Sequence, residues 1–85
     1  MDEHEIARRA STLPDRFADR IPPQTLEIIQ LMEGGGEYGE LTIELAASLA
    51  AHNTPVTAAE RDELLALLEA MDMPTDPIEK LNVQG

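Results

Sequence analysis

We expect the fold of this 85-residue chain to be organised by residues 37–52, EYGELTIELAASLAAH. At 100° per residue, the apolar side chains of this segment spread over more than half of a helical wheel. They are Leu41, Ile43, Leu45, Ala46, Leu49 and Ala50. A helix that is apolar on so much of its surface packs against several neighbours. The segment is therefore predicted to be the central helix of the protein, closed by Asn53-Thr54-Pro55.

The N-terminal part carries one apolar stripe at helical spacing. Its members lie four, three, four and four residues apart and are Ile6, Ala10, Leu13, Phe17 and Ile21. Pro14 interrupts the stripe, because proline lacks a backbone N–H and restricts the residue before it. We therefore expect either a kinked helix or two short, nearly collinear helices, ended by Pro22-Pro23.

A further helix is predicted between the stripe and the central helix. Its start is placed at Pro23, since proline is tolerated in the first turn of a helix. Its inner face consists of Leu26, Ile29 and Met32, with Ile28 flanking. Three consecutive glycines, residues 34–36, cannot sustain a helix and permit a sharp reversal.

The last long helix has the clearest start signal. Thr57-Ala58-Ala59-Glu60 fits the capping box, in which hydroxyl and carboxylate each accept a bond from a helix-end amide. Its inner stripe is Leu64, Leu67, Leu68 and Met71, and residues 76–81 are expected to add one turn. No segment alternates apolar and polar residues as a strand would. The expected fold is all-α, a compact bundle of four to five short helices in a single domain of residues 1–85.

The charge of the chain narrows its partners. Asp and Glu number 17 against 6 Lys and Arg, a formal net charge of −11. Such a surface repels nucleic acid and anionic lipid and speeds encounter with a basic protein. We therefore expect a protein partner and neither nucleic acid nor membrane. No apolar run approaches a signal peptide or a membrane span, so a cytoplasmic location is expected.

Motifs for catalysis, cofactors and metals are missing or incomplete. Without cysteine there is no disulfide, thiolate ligand or cysteine nucleophile. Gly34, Gly36 and Gly39 match the dinucleotide pattern G-x-G-x-x-G, but a helix and not a strand precedes them. His4-Glu5 begins the zinc pattern H-E-x-x-H, yet Arg8 stands at the second histidine. The sequence therefore favours a non-enzyme with no cofactor and no metal.

The segment from Glu33 to Glu44 is the candidate binding site. Its polar residues are Glu33, Glu37, Tyr38, Glu40 and Glu44. Tyrosine is a rigid amphipathic anchor, and carboxylates accept paired hydrogen bonds from arginine. In an alternative interpretation, Glu37 and Glu40 complement the helix dipole and Tyr38 covers the edge of the core. A second acidic cluster, at Glu60, Asp62 and Glu63, fits helix capping better than binding.

Three segments together resemble the MafI-type immunity proteins of bacterial polymorphic toxin systems. They are residues 31–45 (LMEGGGEYGELTIEL), the helix start at 55–57 (PVT), and residues 64–71. The likeness covers roughly residues 20–75. The resemblance implies a small acidic helical protein that binds a cognate toxin and blocks its active site or a neighbouring surface. It also implies that the five residues of the candidate site bind the toxin, with Tyr38 as the anchor.

Two other functions remain open. The chain has the charge expected of a regulatory or adaptor module that docks a basic protein without any toxin. It also has features of a self-associating bundle, in which an exposed Leu65 beside Asp62 and Glu69 would seed a dimer.

Overall fold

The computed structural model describes residues 1–84, and helices account for 70% of the chain. The α-helices are α1 (Glu3–Ala10), α2 (Leu13–Phe17), α3 (Pro23–Gly34), α4 (Tyr38–Ala51), α5 (Ala58–Ala70) and α6 (Asp76–Glu79). A 3-10 turn at Ala18–Arg20 follows α2, and two short strands are β1 (Pro55–Thr57) and β2 (Asn82–Gln84). The prediction of a mainly helical fold is confirmed, and the small sheet is an addition to it.

Helix α4 lies at the centre, as its apolar circumference predicts. Leu41, Leu45, Ala46 and Leu49 are completely buried. Helices α1, α3, α5 and α6 all contact α4, so each side of it except one polar strip is covered. The three other long helices each bury one face against it, through Ile6 and Ala10 of α1, Ile29 of α3, and Leu64, Leu67 and Leu68 of α5.

Pro14 divides the N-terminal element. Helix α1 ends at Ala10, and α2 begins at Leu13 with the proline in its first turn, where a missing N–H does no harm. Every member of the apolar stripe from Ile6 to Ile21 is buried. The spacing therefore predicted burial correctly, and of the two arrangements expected the structure has two short helices.

Helix α3 ends in a Schellman motif that turns the chain into α4. The Glu37 N–H donates to the Met32 carbonyl at 2.8 Å, and the Gly36 N–H donates to the Glu33 carbonyl at 3.1 Å. Gly36 has φ +72°, which is the left-handed conformation that the motif requires. Of the three glycines, only Gly36 therefore needs to be glycine for its backbone angle.

The absence of strands was a wrong expectation for six residues. Strands β1 and β2 pair in parallel, with Val56 opposite Val83. Each strand has three residues, which is too short for alternation to be recognised in the sequence. Val56 is buried, and Thr57 is extended because it serves as the N-cap of α5. The pair ties the C-terminal segment to the start of α5.

Candidate functional site

The structure places the five predicted site residues at one end of the α3–α4 hairpin. Glu33 lies in the last turn of α3, Glu37 is the N-cap of α4, and the other three lie on the first two turns of α4. Glu37 and Glu40 are exposed, and Glu33, Tyr38 and Glu44 are half-buried. At 100° per residue, Glu37, Glu40 and Glu44 fall within about 60° of arc. They form the polar strip that α4 leaves uncovered.

The four carboxylates of this site have no cationic neighbour in residues 1–84. None of them takes part in an ion pair or accepts a side-chain hydrogen bond there. Glu37 is the N-cap of α4, yet its side chain makes no capping bond. Glu40 alone sits in the first helical turn, where the dipole favours a negative charge. Helix capping therefore explains little of this cluster.

The acidic cluster at the start of α5 is arranged differently. The Arg20 guanidinium donates two hydrogen bonds to the Glu60 carboxylate, of 2.9 and 2.6 Å. The Arg16 guanidinium donates two hydrogen bonds to the Glu63 carboxylate, of 3.1 and 2.6 Å. Glu60 and Thr57 also complete the predicted capping box, with bonds of 2.9 and 3.0 Å. The cluster ties the segment of Arg16 and Arg20 to α5; of its three acids only Glu60 makes a capping bond, while Glu63 pairs with Arg16 and Asp62 with Arg61.

Electrostatics at the α5 cluster follow from these pairs. The hydrogen bonds from Arg20 lower the pKa of the Glu60 carboxyl from its ordinary 4.5 to about 2. The same bonds raise the pKa of Arg20, and those of Glu63 raise the pKa of Arg16. Arg20 also stacks on the buried ring of Phe17, with its guanidinium carbon 4.3 Å from the ring centroid. Arg16 and Arg20 are therefore both engaged in contacts within the protein.

Tyr38 lies between the core and an open depression. Its ring is half-buried and packs against the core, as the core-edge interpretation requires. It also borders an open depression of about 430 Å³, which is lined further by Glu3, Ile6, Gly36, Gly39 and Met71. A Cβ atom at Gly39 would lie 3.1 Å from the Met73 side chain, so Met73 packs closely against this glycine. The tyrosine is held firmly while one side stays accessible.

Two apolar side chains near this site were not recognised in the sequence as surface features. Leu31 is 72% exposed and Ile28 is 43% exposed, both on the outer face of α3. The signal was present, since Leu31 lies 200° around the helix from the buried Ile29. Leu65, in contrast, was expected to be exposed and is half-buried against the core. Leu65 is therefore less exposed than the dimer interpretation expected.

Neither a metal centre nor a membrane span is visible in the part of the chain that the structure describes. Residues 1–84 contain no cluster of three or more His, Asp or Glu side chains arranged to hold a metal ion. Over the same residues, no helix has the length and apolar character needed to cross a bilayer. What the site offers chemically is a set of free carboxylates beside a tyrosine and an apolar patch.

Comparisons with known protein families, with curated proteins and with solved structures found no match to this chain. The function must therefore be argued from the site itself.

Proposed function

We propose that this chain is a bacterial immunity protein, acting in the cytoplasm, that binds a cognate toxin and neutralises it without catalysis. The toxin domain is basic, of the kind that attacks nucleic acid, and it contacts the α3–α4 acidic face: Glu33, Glu37, Tyr38, Glu40 and Glu44. The resemblance of residues 31–45 to MafI-type immunity proteins supports this assignment. So does the net charge of −11.

One observation carries the proposal. Arg16 and Arg20 pair with Glu63 and Glu60 at the start of α5, whereas the acids of the α3–α4 face form no ion pair within residues 1–84. Like charges three and four residues apart destabilise a helix by a few tenths of a kcal/mol per pair. Arginine and lysine side chains of a partner would remove that repulsion and donate hydrogen bonds to the carboxylates. The unpaired acids therefore favour a basic binding partner.

Growth rescue tests the proposal directly. The C-terminal region of the protein encoded immediately upstream is expressed in bacteria, with and without this chain. We expect that region alone to stop growth, and co-expression to restore growth with copurification of the two proteins. A harmless neighbour, or one that kills cells regardless of this chain, would refute the immunity function. Copurification without toxicity would point to the adaptor function instead.

Charge reversal then locates the face. The triple variant Glu37→Lys, Glu40→Lys, Glu44→Lys is expected to lose rescue and binding. A matched control reverses three exposed acids elsewhere, namely Asp15, Glu69 and Glu79. Both variants change the net charge by the same amount, so only a specific face separates them. Equal loss of rescue in both would mean that overall charge, and not the α3–α4 acidic face, determines binding.

Stability of the variants must be measured alongside. Because the acids of the α3–α4 face make no internal ion pair in residues 1–84, their replacement by glutamine is expected to leave the unfolding free energy unchanged or slightly higher. Loss of rescue in a glutamine variant that unfolds at the wild-type urea concentration would then be a binding effect.

A further inference from the structure

The outer face of α3 is apolar where a solvent-facing helix is usually polar. Leu31 is the most exposed large apolar side chain of residues 1–84. With Ile28, Gln24 and Glu27 it borders an open depression of about 390 Å³. These four positions are spaced i, i+3, i+4 and i+7, so they share one side of the helix. Ile29, on the opposite side of the helix, is fully buried, whereas Leu31 lies outside the core.

This face reaches the same turn that carries the acidic site. The Gly35 N–H donates to the Leu31 carbonyl at 3.1 Å. A Cβ at Gly35 would lie 3.7 Å from that carbonyl oxygen and 3.7 Å from Oε2 of Glu37. Leu31 and the Glu37 carboxylate therefore flank the same glycine. The backbone of Leu31 and the α3–α4 acidic face therefore meet at the same turn between α3 and α4.

The acidic residues around this patch indicate the charge of the partner that covers it. Helix α3 contains no basic residue, and its charged residues are Glu27 and Glu33. A second copy of the chain would bring another charge of −11 and the same acidic rim, which opposes self-association. A basic protein surface with an apolar recess is complementary to both parts. Interfaces of this kind combine a buried apolar anchor with a polar rim.

We propose that Leu31, supported by Ile28, is the apolar anchor of the interface and inserts into a recess on the basic partner. This inference rests on the proposed function and adds the residues that hold the complex together. The two parts of the surface have separable kinetic roles. The carboxylates speed encounter, which depends on salt, and the buried anchor slows dissociation, which does not.

Binding kinetics with Leu31→Ala test this division. The probe is the C-terminal domain of the upstream-encoded protein, refolded after separation from the complex. Loss of a central anchor is expected to weaken binding about 10- to 100-fold, nearly all of it in the dissociation rate. The dependence of the association rate on salt should stay as in the wild type. Val83→Ala truncates another exposed apolar side chain, on β2, and should change nothing.

The outcomes separate this inference from the proposed function. Tight wild-type binding with Leu31→Ala within twofold would overturn the anchor and leave the immunity function intact. Failure of the wild type to bind the probe would overturn both. If sedimentation shows a concentration-dependent wild-type dimer that Leu31→Ala abolishes, a second copy occupies the patch and the inference is wrong. Because Leu31 is 72% exposed, its truncation is not expected to alter folding.

Discussion

Neutralising Glu60 should destabilise the protein by weakening its contact with Arg20. The Glu60→Gln substitution keeps an acceptor for the capping box, but it removes the negative charge and one of the two oxygens that accept from Arg20. Lowering the pKa from 4.5 to about 2 corresponds to an upper limit of about 3 kcal/mol. The Arg20 side chain is 31% exposed, so solvent screens the pair and we expect about 1–2 kcal/mol.

The pH dependence identifies the cause. The folded-state pKa is below that of the unfolded chain, so the contribution is complete above pH 4.5 and is lost as the pH falls towards 2. Less than about half of it should remain at pH 3. The difference in urea unfolding free energy between wild type and Glu60→Gln is therefore measured at pH 7 and pH 3. The other carboxyls titrate in both proteins and cancel.

A double-mutant cycle with Arg20→Met completes the test. The coupling between Arg20 and Glu60 should account for most of the effect at pH 7. Glu69→Gln, at an exposed acid that forms no ion pair in residues 1–84, is the control and should change stability by no more than about 0.5 kcal/mol. A difference that is equal at both pH values, or a coupling below about 0.3 kcal/mol, would refute an ionic role for the pair.

Four other substitutions test the packing and the turns by urea unfolding. Ser48→Ala should stabilise by about 1 kcal/mol, because the buried Ser48 hydroxyl has no hydrogen-bond partner within residues 1–84; a loss of stability would mean that it finds one in solution. Gly36→Ala should destabilise the protein by about 1 kcal/mol, because Gly36 has φ +72°. Gly34→Ala should be neutral or stabilising, because Gly34 lies at the end of α3 with open space around it. Equal effects of the two substitutions would contradict the Schellman assignment. Asp72→Gly should stabilise by about 0.5–1 kcal/mol, because Asp72 has φ 56° at the negative end of α5, and a loss would show that its side chain contributes a contact.

Helix positions and core residues were predictable because they depend on local periodicity. Every member of the N-terminal stripe is buried, as are four of the six apolar residues predicted to pack on α4; Ile43 and Ala50 are half-buried. Thr57 with Glu60 marked where α5 begins. The strands were not predictable, since three residues carry no period and their partners are distant in sequence. Leu65 was placed on the surface from neighbouring acids, but the bundle covers that side of α5 as well.

The sequence assigned different roles to the two acidic clusters, but it could not show which of them is paired, because only tertiary structure brings arginines to one of them. Arg16 lies 47 residues from Glu63 and Arg20 lies 40 residues from Glu60, and the fold brings each arginine to its partner on α5. Sequence reasoning therefore located the α3–α4 acidic face by its turn and its tyrosine, without knowing that its charges would be free.

That difference bears on why the chain is so acidic. A surface needs some charge for solubility, but solubility alone does not require acids aligned on one strip of α4 with their repulsion unrelieved. The protein tolerates the strip because the opposite side of α4 is fully buried and holds the helix in place. Arg16 and Arg20 are engaged at α5 and so do not relieve this repulsion. The unrelieved repulsion of this strip is the physical argument for the basic partner that we propose.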